Sequence, residues 1–152
     1  MKVSAGLAGG LAGTLTVASI HEALRRVTSD APRMDILDIE LIRKGLKSIN
    51  KEVPGEDKLQ RLAVGGELFC DTAYYGLIAM GSKKRVLLRG ALLGLVAGVT
   101  AVILPKPLGL PEEASNKTLA TQLMTVGLYL MGGLVAAATT QLVDRAQRRN
   151  KM

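Results

Sequence analysis

Residues 119–143 have the sequence LATQLMTVGLYLMGGLVAAATTQLV, which contains no charged side chain. An uncharged, largely apolar run of this length meets the requirement of roughly 20 residues for an α-helix that crosses the hydrocarbon core of a bilayer. Lys117 and Asp144 bound the run. The stretch therefore predicts a transmembrane helix and places the chain among all-α membrane proteins.

Three further apolar stretches precede this one and are predicted as membrane spans: residues 3–24, 62–82 and 86–104. The last of them is interrupted only by Arg89, whose long side chain can snorkel to the nearby membrane surface. The second is ambiguous because it contains Glu67 and Asp71. We therefore predict an integral membrane bundle of four transmembrane helices, with three as the alternative if residues 62–82 lie at the interface.

A cleaved secretory signal peptide is the competing interpretation of the first stretch, since it is N-terminal and rich in small residues. Only Lys2 precedes it, which makes a thin basic region, and no convincing small-residue cleavage site follows. A retained helix is the favoured interpretation.

The composition agrees with a membrane protein. The 152 residues include 17 glycines, no Trp and only 3% aromatic residues, so a soluble core would lack its usual aromatic area. The chain has a net charge of +7, and basic residues are dense in the turn at 83–85 and in the predicted basic tail, residues 144–152. The positive-inside rule then favours cytoplasmic termini in a bacterial inner membrane.

The first connection, residues 30–57, is predicted to lie outside the membrane and to contain an amphipathic helix. Its apolar side comprises Met34, Leu37, Leu41, Ile42, Leu46 and Ile49. Asp38 interrupts this apolar side. A helix lying on the bilayer surface is the favoured interpretation, and a docking face for a partner is the alternative.

Glycines recur four residues apart in two of the stretches, which places them on one face of a helix. Small residues at this spacing let membrane helices approach closely. The glycine zipper predicted to pack the helices comprises Gly6, Gly9, Gly10, Gly13, Gly90, Gly94 and Gly98. Two interpretations of these glycine faces are possible. They can pack the helices of this chain against each other, or they can dock a helix of another subunit.

Glu67 and Asp71 share one helix face, and lipid is a poor environment for that face. At about 1.5 Å per residue from Arg61, they lie roughly 9 Å and 15 Å into the span. The predicted topology gives a candidate intramembrane polar cluster of His21, Glu22, Glu67, Asp71, Gln122 and Thr125.

Three interpretations of this cluster are open. The carboxylates could form hydrogen bonds with Tyr, Thr and Gln side chains and so fix the register of the helices. One of them could bind or relay a proton or a cation. The third possibility is that the second stretch lies at the membrane interface.

The sequence offers no motif for catalysis, a cofactor or a metal. Cys70 is the single cysteine and His21 the single histidine, so neither a disulfide framework nor a His-rich metal site can form within one chain. The sequence HEALR at 21–25 lacks the second histidine of the zinc-protease motif, and no phosphate-binding loop occurs. We therefore predict neither an enzyme nor a nucleic-acid binder, since stacking platforms and recognition motifs are also missing.

Several segments resemble a recurring pattern in small polytopic proteins of bacterial inner membranes. The segments are HEALRR at 21–26, APRMD at 31–35, LRGALLG at 88–94 and the stretch 115–125, which begins with SNKT and ends with Met124-Thr125. The resemblance implies a multi-pass membrane protein and brings no activity with it.

The function predicted from these features is a non-catalytic accessory or structural subunit of a larger membrane complex, packed through its glycine-rich helix faces. The expected partners are membrane lipid and either other subunits or further copies of this chain. The alternative is a small oligomeric proton or cation carrier or channel that uses the intramembrane carboxylates.

Overall fold

The computed structural model describes residues 1–149, which form helices and connecting turns without any strand. The helices are α1 (Val3–Val27), α2 (Met34–Ser48), α3 (Glu56–Gly76), α4 (Val86–Ile103), α5 (Glu113–Asn116) and α6 (Leu119–Arg149). Two short 3-10 turns, Leu77–Ala79 and Lys83–Arg85, connect α3 to α4. The prediction of an all-α fold is confirmed.

Three of the helical segments are long and apolar enough to cross a membrane, namely Val3–Val27, Lys83–Ile103 and Leu119–Arg149. These segments indicate a membrane protein. The predicted second span, residues 62–82, is not among them, because α3 ends at Gly76 and because Arg61, Glu67 and Asp71 interrupt its apolar part. The helix starts early because Glu56 and Asp57 interact favourably with the positive end of its dipole.

The last helix is longer than the predicted span over residues 119–143. It continues to Arg149, and Arg148 pairs with Asp144 one turn earlier at 2.9 Å. Such pairs four residues apart stabilise an exposed helix end. Of the predicted basic tail, Lys151 lies outside the described residues.

The four long helices α1, α3, α4 and α6 run antiparallel to their neighbours in sequence. The N-terminus and the end of α6 meet the α3–α4 turn at one end of the bundle, which we call the terminal end. There the buried Asp144 accepts a hydrogen bond from the backbone N–H of Lys2 and lies 3.4 Å from Lys83 Nζ. The opposite end, which we call the loop end, carries α2, α5 and the α4–α6 connection.

The central helix is α6, which packs against α1 on one side and α4 on the other. Glycines make both contacts close. A Cβ atom placed at Gly98 of α4 would lie 2.7 Å from Val126 Cα, and one at Gly13 of α1 would lie 2.6 Å from Gly132 O. Real Cβ atoms essentially never approach another heavy atom this closely, so these positions accept only glycine without a shift of backbone.

Helix α1 has a second glycine face, which contacts α3. A Cβ atom at Gly6 would lie 2.8 Å from Gly76 O, and Gly10 faces the carbonyl of Thr72. All seven glycines singled out in the sequence therefore face helices of this chain: Gly6 and Gly10 face α3, whereas Gly9, Gly13, Gly90, Gly94 and Gly98 face α6. The side chains of other subunits have no access to these faces in the folded chain.

The terminal half of the bundle is closed by aromatic and aliphatic packing. Tyr75 is fully buried, and its hydroxyl donates a hydrogen bond to Tyr129 O at 2.8 Å. The hydroxyl of Tyr74 donates to Leu93 O at 2.8 Å and so ties α3 to α4. Arg89 donates to Ile78 O and Ser82 O, so its side chain turns toward the terminal end and secures the α3–α4 turn.

We predict that Gly94→Ala destabilises the protein by about 1–3 kcal/mol, the usual penalty for adding a methylene group to a close-packed contact. The new Cβ would lie 2.8 Å from Leu130 Cα. Thermal unfolding in detergent measures the effect.

The matched control is Gly127→Ala. Gly127 lies in α6 with nothing within 4 Å of the added Cβ, so the higher helix propensity of alanine should leave the protein unchanged or more stable by up to about 1 kcal/mol. Equal effects of the two substitutions would contradict the packing role of Gly94.

Candidate functional site

A pocket of about 470 Å3 lies between α3 and α4, toward the loop end. Its walls are mainly apolar and include Val96 and Ala97 of α4 and Leu104, which follows directly after this helix. Tyr129 of α6 also lines it, and the Tyr74–Leu93 hydrogen bond ties α3 to α4 on the terminal side. We call this space the α3–α4 pocket.

Three carboxylates come together beside this pocket. Asp38 of α2 and both Glu67 and Asp71 of α3 line a smaller cavity of about 210 Å3 between the two helices. Asp38 and Asp71 also line the α3–α4 pocket, so the two spaces share these side chains. All three residues are half-buried.

Packing of α2 on the bundle places Asp38 in this cluster. Met34 and Leu37, which precede it on the apolar side of α2, are buried, and Met34 Sδ lies 3.6 Å from the Tyr129 hydroxyl. Farther along, Lys44 Nζ donates to Leu108 O at 2.6 Å and to a second carbonyl of the same loop. These contacts turn Asp38 toward α3.

The amphipathic helix therefore packs partly on its own bundle, in contrast to the expectation of a helix that lies only on the bilayer. The backbone leading into it is also attached, because Arg33 N–H donates to Ala114 O at 2.6 Å. Leu41 and Ile49 stay exposed, so only the later part of the apolar side is available to lipid.

Among the described residues, no Lys, Arg or His side chain lines either space, although His21, outside the lining, interacts favourably with the charge of Glu67. Every residue that lines the two spaces is acidic, neutral polar or apolar. Within the same part of the chain, Asp71 Oδ2 is buried without a hydrogen-bond partner. Uncompensated carboxylates in such surroundings are costly.

Burial raises the pKa of Asp38 to about 7, and repulsion from the carboxylates of Glu67, Asp71 and Asp35 adds to the shift. Asp38 lies on α2, outside the long apolar helices. Its carboxyl group therefore changes charge near neutral pH.

Of the six polar residues that the sequence analysis placed in one cluster, only two lie together in the structure. Glu67 and Asp71 share the cavity, whereas Glu22 faces outward and pairs with Arg26 at 2.9 Å. The remaining three make hydrogen bonds elsewhere at the loop end: His21 Nε2 with Pro32 O at 2.7 Å, Gln122 with Asn116, and Thr125 with Thr121 O at 2.8 Å.

Hydrogen bonds within residues 1–149 do not link the carboxylates to Tyr, Thr or Gln side chains in the way the register interpretation requires. Tyr74 and Tyr75 both donate to backbone carbonyls, and Thr125 donates within its own helix. The helix register is fixed by these bonds and by the glycine contacts instead.

Sequence reasoning missed Asp38 as a member of the site. The sequence did contain a signal for Asp38, namely its position on the otherwise apolar side of α2. A single acidic residue at such a position must face either solvent or another polar group. In the described part of the chain, the acidic residues do not form a group of three or more His, Cys, Asp or Glu side chains that could hold a metal ion.

Comparison with known proteins returns no match: neither a family model, nor a curated protein, nor a solved structure is significantly similar to this chain. The pocket and its carboxylates are therefore the features from which we infer a function.

We predict that the protein loses stability as the pH rises from about 5 to 8. The folded state raises the pKa of Asp38 from its usual 3.8 to about 7, so folded protein binds the proton more tightly than unfolded protein does. The contribution is complete below pH 4, is lost as the pH rises through 7, and falls by about 3 kcal/mol between pH 5 and pH 8.

Thermal unfolding in detergent as a function of pH measures this loss. Asp38→Asn should make the profile less steep and raise stability at pH 8, whereas Asp57→Asn, at an exposed position of α3, should leave the slope unchanged. If the stability of all three proteins changed with pH by the same slope, Asp38 would not be the residue whose titration causes the loss.

Proposed function

We propose that this protein is a small carrier of protons or cations in a bacterial inner membrane, and that it works through the carboxylates beside the α3–α4 pocket. The observation that supports the proposal is a set of half-buried carboxylates in a cavity that no described basic side chain lines, with Asp71 Oδ2 buried and without a hydrogen-bond partner. Ionisable side chains at membrane depth are expensive and commonly mark ion or proton pathways.

The proposal includes α3 as a fourth membrane span. Helix α3 runs along α1, with Gly76 beside Gly6 and Thr72 beside Gly10, so its second half lies level with the apolar part of α1. Phe69 and Leu68 point outward and are exposed. An apolar outer face and inward carboxylates are what a span next to lipid requires.

The orientation with both termini in the cytoplasm is supported by the terminal end of the bundle. Lys83 lies near Asp144 there, and the 83–85 turn together with the end of α6 carries a high density of basic residues. Basic residues flanking spans favour the cytoplasmic side.

A carrier fits the pocket better than an open channel does. The pocket lies toward the loop end, and the hydrogen bonds of Tyr74 and Tyr75 close the terminal half of the bundle. Passage across the membrane therefore requires a change of packing between α3 and its neighbours.

We predict that Asp71→Asn lowers pH-driven proton or cation flux at least 10-fold in reconstituted vesicles, because it removes the charge on a half-buried carboxylate that lines both spaces. Flux is measured with a pH-sensitive dye inside the vesicles and with the cation varied outside.

Asp57→Asn is the control, since Asp57 lies on the same helix but outside both spaces. Its flux should equal that of the wild-type protein. Wild-type vesicles that conduct no faster than empty ones, or an Asp71→Asn variant with full activity, would contradict the proposal.

The accessory-subunit function favoured by the sequence stays a second proposal. Helix α4 buries its glycine face but exposes Leu88, Leu92 and Leu95, which gives an apolar surface for another membrane helix. The glycine rows do not serve as that surface, because they contact helices of this chain. Purification in mild detergent supports this function if a second chain accompanies the protein in fixed stoichiometry, and contradicts it if the protein is always recovered alone or as a homo-oligomer.

A further inference from the structure

We infer that the α3–α4 pocket binds an amphipathic organic cation, in which an ammonium or phosphonium centre is attached to apolar groups. This inference rests on the proposed carrier function and names its class of substrate.

The size and lining of the pocket distinguish an organic cation from a bare ion. About 470 Å3 falls within the range of roughly 300–1,000 Å3 that is typical of small-molecule sites with mainly apolar walls. Neither a proton nor a metal ion requires an apolar space of this size. The part of the chain that the structure describes also lacks a preformed set of metal ligands.

The charge of the lining selects the sign of the ligand. Asp38 and Asp71 supply negative charge, and basic side chains do not line the pocket in residues 1–149. A cation would neutralise the charge of Asp71, whose buried Oδ2 has no hydrogen-bond partner among the described residues. An anion would meet repulsion, and a neutral apolar molecule would leave the carboxylates uncompensated.

The charged lining residues are confined to one side of the pocket. Both carboxylates belong to α2 and α3, whereas α4 contributes Val96, Ala97, Thr100 and Ala101 and no charged side chain. A ligand with a charged centre on one side and an apolar body on the other fits this division. The aromatic ring of Tyr129 adds a surface that can attract a cation.

The rim of the pocket is exposed between the two helices. Val96 is 56% exposed and Leu104 is 45% exposed, and both face the side of the bundle that lipid would cover. An amphipathic cation partitions into a bilayer, so it can reach the pocket from that side.

Binding of tetraphenylphosphonium to the purified full-length chain in detergent, measured by equilibrium dialysis at pH 8, tests the inference. Tetraphenylborate has nearly the same shape and the opposite charge, which makes it the matched control ligand. We expect saturable binding of the cation, no saturable binding of the anion, and at least 10-fold weaker cation binding by Asp71→Asn but not by Asp57→Asn.

A second pair of variants tests the location. Val96→Trp should block the pocket from its rim, whereas Leu92→Trp alters α4 one turn away at a similar exposure, 52% against 56%, and outside the lining. Val96→Trp should weaken binding of tetraphenylphosphonium at least 10-fold, whereas Leu92→Trp should leave it unchanged.

The wild-type protein provides a readout that does not depend on any variant folding. Cys70 lines the pocket and is the single cysteine, so bound tetraphenylphosphonium should slow its reaction with N-ethylmaleimide. Equal binding of cation and anion, or unchanged Cys70 reactivity at saturating cation, would overturn the inference.

The outcomes separate the inference from the function on which it rests. Asp71-dependent proton flux without tetraphenylphosphonium binding would overturn the inference and leave the carrier proposal in place. Saturable, Asp71-dependent binding without any flux would support the pocket ligand and contradict the carrier.

Discussion

The close approach of helix backbones at glycine is the constraint on which the rest of the structure depends. Lipid supplies no hydrophobic drive for helix association, so van der Waals contact between helices must provide much of it. Gly94 and Gly98 of α4 and Gly13 of α1 let α6 lie against both neighbours at distances that no other residue permits. The position of α6 at the centre of the bundle follows from these contacts.

This central packing also determines where the pocket can form. Because α4 and α1 are both held against α6, α3 packs against α1 rather than in a second close contact with α4. The Tyr74–Leu93 hydrogen bond ties α3 to α4 on the terminal side of the pocket. Toward the loop end the two helices leave the space that Asp38 and Asp71 line.

Much of the fold was predictable from local sequence features. The uncharged run at 119–143 predicts α6, and the spacing of Gly90, Gly94 and Gly98 predicts a packing face on α4. The partner of each face was not predictable, because spacing identifies a surface and says nothing about which helix covers it. The structure shows that α6 covers the α4 face.

The site was predictable only in part. Glu67 and Asp71 share a face by their four-residue spacing, and the structure places both on one cavity. Glu22, which the sequence analysis included in the cluster, instead faces outward and pairs with Arg26, four residues later. Asp38 was not foreseen as a member, because its place depends on how α2 docks, which involves loop carbonyls far away in the sequence.

The central claim is that the carboxylates of α3 lie inside the membrane layer, and labelling of the native Cys70 tests it most directly. Cys70 lies one residue before Asp71 on the same helix, so its depth reports the depth of the site. In intact membranes, a charged, membrane-impermeant maleimide should fail to label Cys70 from either side, whereas detergent should expose it. A cysteine placed at Asp57 in a Cys70→Ala background should react from one side only. Rapid labelling of Cys70 in intact membranes, at the rate of the cysteine at position 57, would contradict the account.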